Sequence, residues 1–265
     1  MDCNDYLVQG INTTSTTGIS INSKNYSTIK NCIVKNWYYG IALTSTSNNQ
    51  LINNTVSSNV QYGIYFSGAS NGTIENNTII NLGQYGYGIY LASSSNYNKV
   101  ISNNLSESGK DGDNIVISSS NFNNVSSNTM ISSVAQQTRG IKLTSSSNNT
   151  LDSNNITATE WNTRGIYFGT NSNSNTISNN NILTTLGGAS YGIWFDSSNN
   201  NIIINNKINT SGGLAHGIYH ASSQNNNFTN NNVTALAAYP YYIYGTTITD
   251  YNNTIGPDNL QTESH

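Results

Sequence analysis

Proline, cysteine and charge are all scarce in this chain of 265 residues: two Pro, two Cys, and only 8% Asp, Glu, Lys and Arg. So little charge excludes the composition of a disordered acidic or basic tail, and so little proline excludes a Pro-rich linker. Nine Lys and Arg against twelve Asp and Glu leave a net charge of −3, which argues against a nucleic-acid partner. No apolar run reaches the roughly 18 residues that a membrane-spanning helix needs. Met1-Asp2-Cys3-Asn4-Asp5 is acidic and polar where a signal peptide would have a basic and then an apolar stretch, so the chain reads as a mature or trimmed piece of a larger protein. What fills the sequence instead is fifty Asn, thirty-seven Ser and twenty-nine Thr, together about 44% of the chain. A fold of this composition buries little apolar surface per residue and must satisfy many small polar side chains.

An internal period organises them. A Gly-Ile-x-apolar unit recurs as Gly18-Ile19-Ser20-Ile21, Gly40-Ile41-Ala42-Leu43, Gly63-Ile64-Tyr65-Phe66, Gly88-Ile89-Tyr90-Leu91, Gly140-Ile141-Lys142-Leu143, Gly165-Ile166-Tyr167-Phe168, Gly192-Ile193-Trp194-Phe195 and Gly217-Ile218-Tyr219-His220. Asn114-Ile115-Val116-Ile117 and Tyr242-Ile243-Tyr244 are degenerate copies, and the central isoleucines lie 22 to 27 residues apart. About ten residues after each unit comes an apolar residue with Asn three later and another apolar residue five later, as in Leu151, Asn154 and Ile156. Short β-branched segments alternating with period two between Ser/Asn turns read as strands. Two or three strands per repeat, in ten repeats, predict an all-β, single-stranded parallel β-helix of about ten coils. The right hand follows from the preference of parallel crossovers. The β-helix is expected over residues 1–256, with a polar C-terminal tail at 257–265 and no helix longer than two turns.

Stacking explains the composition. Coils about 4.8 Å apart place equivalent residues in ladders, one of them Asn54, Asn77, Asn103, Asn128, Asn154, Asn180, Asn206 and Asn231. A buried Asn amide can donate to one coil and accept from another, so these asparagines read as scaffold. Ile21, Leu43, Phe66, Leu91, Ile117, Leu143, Phe168 and Phe195 form an inner column, and His220 continues it as a buried or capping histidine.

With coils such as Ser198-Asn199-Asn200-Asn201-Ile202-Ile203-Ile204-Asn205-Asn206, the chain resembles the NosD-type family of parallel β-helix repeats in the pectate-lyase-like superfamily. The resemblance runs along nearly the whole chain. It implies an extracytoplasmic carbohydrate-binding or carbohydrate-processing β-helix from a surface protein. It does not choose an activity, since the matching positions are those that build coils.

Departures from the repeat are the candidates for function. The segment before each Gly-Ile lengthens from seven residues between Val34 and Ile41 to eleven between Ile182 and Ile193, and it collects Gln84, Tyr85, Glu107, Lys110, Asp111, Gln136, Gln137, Glu160 and Trp161. Immediately before the Gly the column reads Tyr39, Tyr62, Tyr87, Asp113, Arg139, Arg164, Tyr191, His216 and Tyr241. A column with Asp and two Arg cannot be core. The Gly is therefore expected to mark a bend where positive φ is cheap and side-chain direction is reset. Alternation places Tyr65, Tyr90, Lys142, Tyr167, Trp194, Tyr219 and Tyr244 outside.

Two outward aromatic rows beside a ragged wall suit a sugar chain lying on flat rings; tyrosine simply stacking on a sheet surface is the alternative. The expected binding residues are Tyr65, Tyr90, Asp113, Trp161, Tyr167, Tyr191, Trp194, His216, Tyr219 and Tyr244, with a polysaccharide or cell-surface glycan and the neighbouring domains of a larger surface protein as partners. At the centre, Lys142 and Arg164 one coil apart look like the Lys and Arg arrangement of alginate-lyase-type β-helices. With Arg139 they could hold a uronate carboxylate and take its C5 proton. Asp113 neutralising Arg139 in a plain surface ladder is the competing reading. Hydrolysis is disfavoured, because Asp113 and Glu160, the nearest candidate carboxyl pair, stand in loops two coils apart. No cofactor is expected, although Asp111 and Asp113 with Glu107 are a weak calcium candidate. Cys3 and Cys32, one coil apart, suit either a bridge or two buried thiols. Three functions remain open: a polysaccharide-binding surface domain, a uronate lyase, and a spacer without ligand.

Overall fold

The computed structural model describes residues 1–81, 86–107, 109, 111–133, 137–185, 188–244 and 254–255. Gln84, Tyr85, Lys110, Gln136 and the tail expected at 257–265 lie outside the described residues. Thirty strands, from β1 (Leu7–Gln9) to β30 (Thr254–Ile255), form three parallel sheets of ten, every third strand falling in the same sheet. The first sheet begins with β1, the second with β2 (Thr17–Asn22) and the third with β3 (Thr28–Lys30). Among the described residues there is no helix, and none is long and apolar enough to cross a membrane.

Apolar residues enter the core from all three sheets because each strand is short and alternates. Ile156, Ile166, Phe168 and Ile177 come from successive strands of one turn and are all buried. The next turn repeats them in register, as Ile156↔Ile182, Ile166↔Ile193 and Ile177↔Ile203. His220 stands in this core between Phe195 and Phe228, and its Nε2 meets the Asn226 amide at 2.9 Å.

The Asn ladder binds the third-to-first corner. Asn154 donates from its backbone N–H and from Nδ2 to Asn180 Oδ1, each at 3.0 Å, and from Nδ2 to Val125 O at 2.9 Å. A second ladder of the same kind, not legible in the repeat pattern, clamps the start of the third sheet: each backbone N–H of Asn123, Asn149 and Asn175 reaches the next Asn Oδ1 at 2.8 Å. Beside the ladders, Asn53, Asn76, Ser102, Ser127 and Ser153 hold φ near +55° at successive corners, where Asn and Ser are tolerated better than bulkier residues. Ladders and left-handed corners together account for the Asn and Ser content.

Side-chain direction does reset at the repeat glycine, but positive φ is not the reason. Gly68, at a different corner, is the positive-φ glycine of the described residues. A Cβ on Gly165 would sit 2.3 Å from Ile182 Cγ2 and 2.6 Å from Gly192 O, and Gly140 and Gly192 are equally confined. Glycine is needed here because the first sheet and the next coil leave no room for a side chain.

The last repeat is also shifted from its expected register. Ile218 pairs with Tyr241, Tyr219 with Tyr242, and Ala221 with Tyr244. Tyr244 thus leaves the outward aromatic row and Tyr242 takes its place. Pro240 O lies against Gly217, so the final coil is two residues shorter between the inner positions than a Gly-Ile reading supposes. At the other end Cys3 and Cys32 form a disulfide, with Cα atoms 4.8 Å apart.

Candidate functional site

The outward face of the second sheet brings the candidate residues into two columns. Asp113, Arg139, Arg164 and Tyr191 are register partners in one, and Val116, Lys142, Tyr167, Trp194 and Tyr219 in the other. Asp113 is not an exposed groove residue as expected: it is fully buried. Its Oδ1 accepts the Arg139 backbone N–H at 2.9 Å and Arg139 Nη1 at 3.3 Å. Burial pushes its carboxyl above the usual range, against the pull of Arg139 and Lys142. Desolvation therefore outweighs the ion pair, a frequent outcome for a buried carboxylate.

Arg139 pairs with this carboxylate, Lys142 stands in the same coil as Arg139, and Arg164 one coil further. Burial first, and Arg139 and Arg164 besides, hold the Lys142 ammonium below its ordinary value, while Asp113 opposes them; Lys142 has no ion pair among the described residues. Arg164, also without a carboxylate, lies with its guanidinium carbon 4.2 Å from the Trp194 ring centre and 5.7 Å from that of Tyr167. Burial and then Arg139 bring its pKa down to about 10. Arg139 Nε, Arg164 Nε and Trp194 Nε1 are buried donors with no acceptor. Tyr167 Oη donates to Asp196 Oδ2 at 3.2 Å. Sequence reasoning missed Asp196, although it stands where the neighbouring coils have Gly169 and Ala221.

The aromatic rows differ from the flat platform expected. Tyr39 and Tyr62 stack at 5.2 Å and 20°, and Tyr62 and Tyr65 at 4.8 Å and 11°. At the other end His216 stacks on Tyr242 at 4.4 Å and 17°, and Tyr219 on Tyr242 at 5.4 Å and 15°. Rings stacked between coils, as Tyr39 on Tyr62, and within one, as Tyr62 on Tyr65, cover one another's faces. Tyr90, at 75° to Tyr87, and Trp194, at 73° to Tyr191, are turned across the row. His216 is a buried member of the stack, its Nδ1 accepting the Tyr239 N–H at 3.2 Å, and burial lowers its pKa. Trp161 is exposed on the wall, beside Gly188. Asp111 is two residues before Asp113 in the chain, and among the described residues no three His, Cys, Asp or Glu gather as metal ligands.

With this geometry in view, the sequence profile of the right-handed β-helix region family matches residues 2–130 and 99–255. The chain belongs to that family. No curated protein matches it in sequence. Among solved structures this right-handed β-helix is similar to a pectate lyase, with a TM-score of 0.67 and 15% identity over 97% of this chain and 71% of that one. It is also similar to the A-module of a mannuronan C-5 epimerase from Azotobacter vinelandii, with a TM-score of 0.64 and 15% identity, covering 88% of this chain but only 64% of the module. An alginate lyase from Paenibacillus is a third, with a TM-score of 0.55 and 14% identity over 82% of this chain and 79% of that one. At such identities the likeness is one of fold.

Proposed function

We propose that the outward face of the second sheet of this β-helix binds an acidic polysaccharide, with a carboxylate of the polymer seated at Arg139, Lys142 and Arg164. The carrying observation is the imbalance of charge: of three half-buried cations in adjacent coils, only Arg139 is ion-paired among the described residues, and its partner Asp113 is fully buried. A polymer carboxylate supplies the missing acceptor, while the hydroxyl rims of the stacked tyrosines on either side contact sugar hydroxyls. Pectate and alginate lyases and a mannuronan epimerase among the structural neighbours support a uronate-type ligand. The Cys3–Cys32 disulfide supports an oxidising, extracytoplasmic location, in a surface or adhesion protein.

Affinity electrophoresis in gels containing polygalacturonate or a neutral glucan tests this reading. Arg164→Ala is expected to weaken retardation by polygalacturonate about tenfold or more, the worth of a charge-assisted contact, with little change in the neutral gel. Affinity for the acidic polymer should also fall as pH rises toward 10.5, because Lys142 gives up its proton below that ordinary value. A wild-type protein that polygalacturonate does not retard overturns the proposal.

The depressed pKa of an unpaired Lys142 also favours a second reading, β-elimination of a uronate with Lys142 as the base. Accumulation of ultraviolet-absorbing unsaturated product in the binding assay, lost in Lys142→Met, is its signature. Binding without product leaves the protein a lectin-like domain, and neither binding nor product leaves a spacer.

A further inference from the structure

The corner leading from the second sheet to the third is left-handed in coil after coil. Asn48, Asn71, Asn148 and Ser174 hold φ between 54° and 58° there, small polar residues suited to that backbone. Tyr26, Tyr97 and Phe122 occupy the same corner with φ of 57° to 58°, and the last two stand in adjacent coils. The backbone ladder confirms the equivalence, Asn71 N–H reaching Asn96 O, Tyr97 N–H reaching Asn121 O and Phe122 N–H reaching Ser147 O. Bulky aromatic residues in this region are strained outliers. Burial does not explain them, since Tyr97 is 55% and Phe122 47% exposed.

The Tyr97 and Phe122 rings are nearly coplanar in orientation, 4.9 Å apart with 4° between planes. Each ring has one face covered by its partner, and in the coils on either side the same corner carries Asn71 and Asn148. Beside each stands an asparagine whose oxygen is already committed to the scaffold: Asn96 Oδ1 accepts the Asn121 N–H at 2.6 Å, and Asn121 Oδ1 accepts the Ser147 N–H at 2.7 Å. Asn96 and Asn121 are half-buried and directly precede the exposed rings in the chain. Residues 93–98, 119–124 and 146–149 carry no charge, Lys99 being the first charged residue beyond them. Exposed aromatic rings beside asparagine amides, with almost no charge, match a pyranose ring, whose C–H face is apolar and whose rim is hydroxyl.

We propose that this corner is a second carbohydrate site, separate from the cationic face, in which Tyr97 and Phe122 stack on pyranose rings of a neutral glycan and Asn96 and Asn121 donate to its hydroxyls. The strain of two left-handed aromatics persists because ligand contact requires them.

The test uses affinity electrophoresis in gels containing xylan or a β-1,3-glucan, with Tm measured alongside. Wild-type protein should be retarded by at least one of them. The double variant Tyr97→Asn/Phe122→Asn, which installs the corner's own residue, should lose retardation at least fivefold while Tm stays level or rises by a few degrees. Exchange of the rings, Tyr97→Phe/Phe122→Tyr, should keep binding. Arg164→Ala should leave neutral-polymer retardation intact, so the two sites fail separately. Wild-type protein retarded by neither neutral polymer, or a double variant retarded like wild type, overturns the assignment. A fall in Tm of more than a few degrees with binding unchanged would make the ring pair a packing element.

Discussion

Gly165 and Gly213 show why one residue type needs two explanations. A methyl group on Gly165 would meet Ile182 and the Gly192 carbonyl, whereas one on Gly213 would meet nothing within 4 Å. Gly165→Ala should therefore destabilise by about 1–3 kcal/mol, the usual cost of overpacking, and Gly213→Ala should be neutral or slightly stabilising. Thermal melts of the two variants check the contrast; equal Tm values would mean that the second-sheet corner relaxes. The sequence showed that a glycine recurs at this place and that direction changes there. It could not show that confinement is the cause, because the crowding atoms belong to the following coil and to a different sheet. Asp113 is similar: its identity marks it as exceptional, while its depth depends on how Arg139 folds over it.

At the scale of strands and corners, the ladders make each coil depend on its neighbours. The Cys3–Cys32 disulfide adds a covalent link across 29 residues at one end. Closing a loop of this length contributes roughly 3.6 kcal/mol by chain entropy. In a solenoid that contribution stays local, since a coil touches only the coils beside it. Reduction should speed amide exchange in β1, β2 and β3 and leave the strand at Tyr191–Asp196 unchanged; uniform acceleration by hydrogen-exchange mass spectrometry would show the rod to be one cooperative unit. Strand positions were legible almost everywhere because alternation and the Asn offset repeat. The exception is the final coil, where Pro240 replaces the glycine and two apolar tyrosines imitate the Ile-containing unit, so that only the pairing of Ile218 with Tyr241 fixes the register.

The molecule as a whole is a rod with one chemically varied face, and its tyrosines set its response to alkali. Burial raises the phenol pKa of Tyr39, Tyr62 and Tyr87 above 10.0. Above that pH the unfolded chain releases protons that the folded rod retains, so their stabilising contribution is complete below pH 10 and declines as pH rises past it. Tm should hold up to about pH 10 and then drop, and Tyr62→Phe should drop less steeply; a Tm that is level through pH 11 would refute a coupled tyrosine stack. The candidate site was only partly legible at this scale. Its columns follow from the repeat, but ring orientation and the excess of positive charge arise from side chains meeting across coils. One regularity has a practical consequence. From the third sheet to the first the inner residues are always five apart, as Leu151 to Ile156 or Ile203 to Ile208, and the ladders hold that spacing. From the first sheet to the second the spacing runs from seven, Val34 to Ile41, to eleven, Ile182 to Ile193. The rod thus holds one seam at fixed length and lets another vary. A foreign peptide spliced into the variable seam would be displayed beside the cationic face, while the same graft between Leu151 and Ile156 would cut the Asn stitching.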